Sequence, residues 1–153
     1  MIKKICFAAS SGGHLEEISR LKDIEEEYES FLLTEKGGFQ ERSFCDHVIY
    51  VQQINRREKL FIPKFLCLFI HSFYILLKER PDCIISLGAL ATYPICLLGK
   101  IMGKKIVYIE SFARVDAPSL TGKLMYHISD LFIIQWKDLL KYYPNAVYGG
   151  GIF

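Results

Sequence analysis

Ile5-Cys6-Phe7-Ala8-Ala9 runs straight into Ser10-Ser11-Gly12-Gly13-His14. Beyond the glycines, Leu15, Ile18, Leu21, Ile24 and Tyr28 recur at helical spacing, with Glu16, Glu17, Lys22 and the acidic run 25–27 between them. The pattern predicts a buried strand, a tight turn and an amphipathic helix. Small residues at such a turn let the backbone approach a ligand. The N–H groups of the first helical turn then favour an anion, phosphate above all. His14 stands where it adds a proton or a hydrogen bond. The competing reading is a plain turn with a helix cap. The stretch lacks the Lys-Ser/Thr of a P-loop and the spacing of the dinucleotide glycine fingerprint, and Glu16 and Glu17 complement the helix dipole themselves.

The same alternation continues along the chain. Short apolar runs predict strands over 4–9, 31–34, 47–51, 83–87, 105–109, 131–134 and 146–148. Longer stretches predict helices over 14–27, 63–78, 90–102, 120–129 and 136–142. The strands are continuously apolar, as expected when helices cover both faces of a sheet. Strand–helix alternation of this kind implies an α/β fold, a doubly wound, Rossmann-like parallel sheet. No repeat, low-complexity tract or linker divides residues 1–153, and the length suits one domain.

In a doubly wound sheet ligands bind beyond the carboxyl ends of the strands. The residues at those positions form a coherent set. They are Ser10 to His14, Glu35-Lys36-Gly37-Gly38, Asn55-Arg56-Arg57, Ser86-Leu87-Gly88-Ala89, Glu110 to Arg114, and Gln135-Trp136. Glycines and polar groups collect at one edge, which is the expected working face. A carboxylate at Glu110 suits a base or a sugar-hydroxyl acceptor, and Arg114 suits a phosphate. The alternative is a salt bridge between Glu110 and Arg114 within a loop. Trp136, Tyr142 and Tyr143 read most simply as core packing, and Tyr93-Pro94 as a helix start.

Composition narrows the functional classes. Apolar residues make up 51% of the 153, ample for a core, and the net charge of +2 is too small for a dedicated nucleic-acid binder. Cys6, Cys45, Cys67, Cys83 and Cys96 are odd in number, scattered, and never spaced Cys-x-x-Cys. They read as reduced, small hydrophobes of a cytoplasmic protein. No cluster of His, Asp or Glu has ligand spacing, so neither a metal nor another cofactor is expected. The apolar run after Lys3 and Lys4 is too short for an export signal.

Residues 55–80 stand apart. Arg56, Arg57, Lys59, Lys64, Lys78 and Arg80 are offset only by Glu58 and Glu79, and between them lies a helix that is apolar almost all round. Its longest apolar run, 65–77, reads as too short to cross a bilayer. Either it is a core helix, or its spare apolar side rests on a membrane surface or a partner, with the basic residues drawn to anionic lipid. On the second reading Arg56, Arg57, Lys59, Lys64, Phe65 and Phe69 are the membrane-contact candidates.

Several motifs occur together and in order: Ser10-Ser11-Gly12-Gly13-His14-Leu15; Pro81 to Ala89; Tyr108-Ile109-Glu110-Ser111-Phe112-Ala113-Arg114-Val115; Leu120-Thr121-Gly122-Lys123-Leu124; and Gln135-Trp136 through Ile152-Phe153. Across essentially the whole chain this set resembles the accessory subunits of bacterial capsule and exopolysaccharide glycosyltransferases. It is similar to the membrane-anchoring subunit of the eukaryotic dolichol-linked chitobiose synthase.

The resemblance implies a single N-terminal, acceptor-side lobe of a GT-B glycosyltransferase, akin to the bacterial lipid II glycosyltransferase. It implies that the UDP-sugar-binding lobe is a separate polypeptide, that the acceptor is a sugar on a polyprenyl diphosphate, and that the pair works peripherally at the cytoplasmic membrane face. By motif, Gly12, Gly13 and His14 would lie at the acceptor diphosphate, and Glu110 and Arg114 would face the cleft between lobes; Ser11, Gly88 and Arg114 complete the expected phosphate-binding set, and His14 or Glu110 is the expected base. The eukaryotic relatives carry an N-terminal membrane anchor, whereas here the first strand follows the initial Met. Membrane contact is then expected from the 56–80 region. A chain of this length builds about one lobe and is expected to be inactive without its partner. The competing expectations are a non-catalytic docking scaffold and a self-sufficient nucleotide binder.

Overall fold

The computed structural model describes residues 1–36, 45 and 47–153. Its elements are β1 (Lys4–Ala9), α1 (Gly13–Ser19), α2 (Lys22–Glu27), β2 (Glu29–Glu35), β3 (Val48–Val51), α3 (Phe61–Glu79), β4 (Cys83–Gly88), α4 (Tyr93–Ile101), β5 (Lys105–Ile109), α5 (Leu120–Tyr126), β6 (Leu131–Ile134) and β7 (Val147–Tyr148), with short 3-10 turns at Leu90–Thr92 and Lys137–Lys141. All seven strands join one parallel sheet in the order β3-β2-β1-β4-β5-β6-β7. The chain starts in the middle, winds outward through β2 and β3, returns to β4 and winds the other way. β1 and β4 are therefore neighbours whose following connections diverge, which opens a crevice at their carboxyl ends.

Both faces of the sheet are buried, and this explains the unbroken apolar strands. Cys6 and Ala8 of β1 join Phe31, Leu33, Ile84 and Ile106 beneath α3, α4 and α5. Ile5, Phe7 and Ala9 join Leu32, Ile85 and Ile109 on the opposite face, against Ile18 of α1. Each fully buried side chain of this size contributes about 1.5–3 kcal/mol of transfer free energy. The thiols of Cys6, Cys83 and Cys96 belong to these clusters. Burial pushes Cys83 up to about 11 and Cys96 up to about 12, far from a reactive thiolate.

Three helices differ from the sequence expectation. The helix expected over 14–27 is two short ones. Ser19 turns its hydroxyl back onto the Glu16 carbonyl at 2.6 Å, a local bond that competes with helix continuation, and the chain restarts from Leu21. The last expected helix is only a 3-10 turn. The third difference is α3, which is longer than expected and at 19 residues is long and apolar enough to cross a membrane by length and composition. Pro63 falls in its first turn, where its missing N–H has no helical partner to lose. The expectation that this run is too short is thereby corrected. Yet α3 connects two parallel strands of one sheet and packs Leu68, Ser72, Ile75, Leu76 and Glu79 inward, so it lies along the sheet. It stops at Arg80, in the left-handed region with φ of 50°, just before Pro81.

The outer side of α3 is unusual. Ile62, Leu66, Ile70, Phe73, Tyr74 and Leu77 all face solvent, and Ile62 and Ile70 are 71% and 72% exposed. Phe65 and Phe69, the expected lipid contacts, are half-buried. Phe65 packs on the core, with its ring between those of Phe61 and Phe69. The outward stripe is made by their neighbours one position on.

Candidate functional site

A cavity of about 540 Å³ opens at the crevice predicted by the topology. It is lined by His14 after β1, Glu35 at the end of β2, Ile54 and Arg56 after β3, Leu87 to Ala91 after β4, Tyr108, Ser111 and Arg114 from β5 and its loop, and the segment 118–121 leading into α5. Its volume lies within the range of about 300–1,000 Å³ usual for small-molecule sites.

The floor is made where β1 and β4 separate. Ser10 donates its backbone N–H to the Gly88 carbonyl at 2.8 Å. Gly88 has φ of 100°, and a Cβ there would stand 3.4 Å from the Tyr108 hydroxyl and 3.9 Å from His14 Nε2. Those distances are ordinary contact, so it is the positive φ that calls for glycine here. Burial lowers the pKa of His14, and the cation of Arg114 adds to the effect against the opposing pull of Glu17 and Glu110. The ring is therefore neutral at pH 7 and able to accept a proton. Its Nδ1 is buried without a hydrogen-bond partner among the described residues.

The wall carrying Arg114 rests on two buried carboxylates. Glu17 of α1 accepts the Ser111 hydroxyl at 2.8 Å, the Phe112 N–H at 3.0 Å and the Gln135 amide at 3.2 Å. Glu110 accepts the Tyr143 hydroxyl at 2.9 Å, the Ser119 N–H at 3.2 Å and the Ser111 N–H at 3.3 Å. Arg114 then closes a turn onto the Ser111 carbonyl. A Cβ at Gly122 would lie 1.9 Å from Glu110 Oε2, so this glycine makes room for the carboxylate under α5. The same carboxylate and burial push the Tyr143 hydroxyl well above its usual pKa.

Glu110, expected as a catalytic base, lies behind the cavity wall rather than on it. Its side chain is 0% exposed, is absent from the cavity lining and is fully occupied in holding the 111–122 segment. No Glu110–Arg114 salt bridge forms either; Glu110 is buried, whereas Arg114 is exposed and lines the cavity. The glycine turn also departs from expectation. Gly12 and Gly13 are exposed, and neither they nor Ser11 line the cavity. Gly12 instead starts α1 with φ of 83° and accepts the N–H groups of Leu15 and Glu16. Of the expected site residues, His14, Gly88 and Arg114 come together. Gly37 and Gly38 lie outside the described residues.

Two more residues of the expected working edge, Glu35 and Arg56, line the cavity, although neither stood among the expected catalytic or phosphate-binding residues. Glu35 is buried, takes the Ile54 N–H on Oε1 at 3.2 Å, and has its pKa raised by desolvation. Its signal was its place at the carboxyl end of β2. Arg56, expected at a membrane, lines the cavity, while Arg57 and Lys59 are exposed outside it. Lys64 is half-buried and ion-paired with Glu58. Among the described residues no group of three or more His, Cys, Asp or Glu is placed to hold a metal ion.

Residues 40–152 match the family described as "Oligosaccharide biosynthesis protein Alg14 like". The chain belongs to the Alg14-like family. The UDP-N-acetylglucosamine transferase subunit ALG14 of Mus musculus is 42% identical over 87 residues, 53% of this chain and 40% of the mouse protein. That of Schizosaccharomyces pombe is 48% identical over 75 residues, 46% of this chain and 36% of its own length. The matched stretch thus spans well under half of these relatives. Among solved structures, MurG of Acinetobacter baumannii superposes with a TM-score of 0.71 over 86% of this chain and 41% of its own, at 14% identity. The UDP-N-acetylglucosamine 2-epimerase of Rickettsia bellii reaches 0.75 over 99% and 46%, also at 14% identity. At that identity the likeness establishes the fold, a Rossmann-like lobe of the GT-B kind.

Proposed function

We propose that this Alg14-like chain is the acceptor-side lobe of a two-chain glycosyltransferase that takes a sugar carried on a polyprenyl diphosphate. The observation that carries the reading is the cavity at the sheet switch point, where His14, Gly88 and Arg114 meet. The relatives named as UDP-N-acetylglucosamine transferase subunits support the reaction class. A separate chain binds the UDP-sugar. The acceptor hydroxyl gives its proton to neutral His14 Nε2 as its oxygen bonds to the anomeric carbon of the donor. The UDP leaves from the opposite side, so the configuration inverts without a covalent intermediate. The product enters cell-surface polysaccharide assembly.

The pair works at the cytoplasmic face of the membrane. The outer stripe of α3, Ile62 to Leu77, rests in the interface, and Arg57, Lys59, Lys78 and Arg80 at its two ends meet anionic head groups. That same open face favours a second reading, a docking scaffold whose partner does all the chemistry.

The test is co-expression with a UDP-sugar-binding partner chain, followed by transfer from radiolabelled UDP-sugar to membrane lipid. His14→Ala is expected to abolish turnover while leaving the two chains associated. Full turnover by that variant would remove His14 as base and favour the scaffold.

A further inference from the structure

We propose that the anion site of this cavity is an arginine clamp, Arg56 against Arg114, rather than the glycine turn. The clamp takes the diphosphate of the lipid-linked acceptor. The inference rests on the reading of the cavity as the acceptor site and gives Arg56, expected as a membrane contact, a role there.

Arg56 and Arg114 line the cavity from opposite wings of the sheet. Arg56 follows β3 and Arg114 follows β5, with the β1–β4 crevice between them. Among the described residues neither makes an ion pair. Planar guanidinium side chains on either side of one cavity match the two phosphoryl groups of a diphosphate, each able to take a bidentate bond.

Both arginines stand on braced backbone. Before Arg56, the Ile54 N–H is held by Glu35. Around it, the Asn55 N–H donates to Glu58 Oε1, the Arg57 N–H donates to Asn55 Oδ1, and Lys64 ties Glu58 to α3. Arg114 stands on the loop held from below by Glu17 and Glu110. Neither loop must be ordered when ligand arrives, so little of the interaction is lost to entropy. The glycine turn offers less. Gly12 and Gly13 are exposed, neither they nor Ser11 line the cavity, and α1 is only 7 residues long.

The position of Arg56 also orients the ligand. Leu60 and Ile62, the exposed start of the α3 stripe, follow it within six residues. A diphosphate between the arginines sends its lipid chain toward that stripe and its sugar toward His14 and Glu35. Glu35 opposes a nearby anion, but desolvation already shifts it toward its neutral form.

The test is calorimetric titration of the full chain at fixed ionic strength with inorganic pyrophosphate, farnesyl diphosphate and UDP. Arg56→Ala and Arg114→Ala should each weaken pyrophosphate and farnesyl diphosphate by about tenfold or more. Arg56→Lys should recover part of the loss, keeping the charge without the fork. Arg57→Ala removes the same charge from the adjacent exposed position and should change affinity less than about twofold. If Arg57→Ala costs as much as Arg56→Ala, the attraction is diffuse and the clamp is overturned. UDP should bind no tighter than pyrophosphate. If UDP binds far more tightly than farnesyl diphosphate and both arginine variants lose it, the clamp stands and the acceptor reading falls.

Discussion

The crevice above β1 and β4 and the outer face of α3 are built on opposite principles. Beside the crevice, two buried carboxylates are held by directional bonds: Glu17 and Glu110 together take six donors from loops and a tyrosine. Such a network fixes positions to fractions of an ångström and is costly when any member is lost. On α3, six large apolar side chains stand in water with no directional contact specified. A surface of that kind suits a partner without fixed geometry, such as a lipid interface. On the proposed function, the difference separates recognition of a defined group from attachment to a plane.

The largest effect that could break this contrast is at Glu110. Replacing it by alanine leaves the Ser111 and Ser119 N–H groups and the Tyr143 hydroxyl buried without an acceptor. A loss of about 3–5 kcal/mol in folding stability is expected, read by thermal or urea denaturation. A variant that kept its stability but lost turnover would return Glu110 to the chemistry. Gly122→Ala should act in the same direction, because the new Cβ collides with the same carboxylate.

The α3 face should respond in the opposite way. Ile62→Glu, Leu66→Glu and Ile70→Glu combined are expected to leave the melting temperature nearly unchanged, since the three side chains are already exposed. Sedimentation with anionic vesicles should fall by about tenfold or more. Unchanged vesicle binding together with loss of the partner chain would make the stripe a protein interface instead.

A smaller test uses pH. Burial lowers the folded pKa of His14 below its ordinary 6.5. Between the folded value and 6.5 the unfolded chain binds more protons, so stability is lost as pH falls through that window. His14→Gln should flatten this part of the profile. Glu35 behaves inversely. Its folded pKa lies above 4.5, so between 4.5 and the folded value the native chain holds the extra proton and stability falls as pH rises. Glu35→Gln should remove that slope while keeping an acceptor for Ile54. Unaltered profiles in both variants would show that the cavity walls are wetter than described.

Much of the architecture is legible in the residues. Each of the seven expected strands occurs within two residues of its expected place, because apolar runs of that length between helical segments are stable only when buried on both faces. Helix ends are less legible. The break at Ser19 depends on one hydroxyl choosing a carbonyl, and the extension of α3 to Phe61 depends on a proline that a first turn tolerates.

The site divides similarly. Position along the chain was sufficient to put His14, Gly88 and Arg114 at one edge, since a parallel sheet brings every strand's carboxyl end to the same side. It was not sufficient to say which way a side chain points once there. Glu110 and Arg114 are four residues apart in one loop, yet the carboxylate is buried under α5 and the arginine lines the cavity. Arg56 and Arg57 are adjacent, yet only the first reaches the ligand side. Sequence by itself determined the strand order's raw material, the apolar faces and the chemistry available at the working edge. Tertiary structure decided which charged groups are buried as struts and which are left facing the cavity, because that choice depends on contacts between segments up to 118 residues apart.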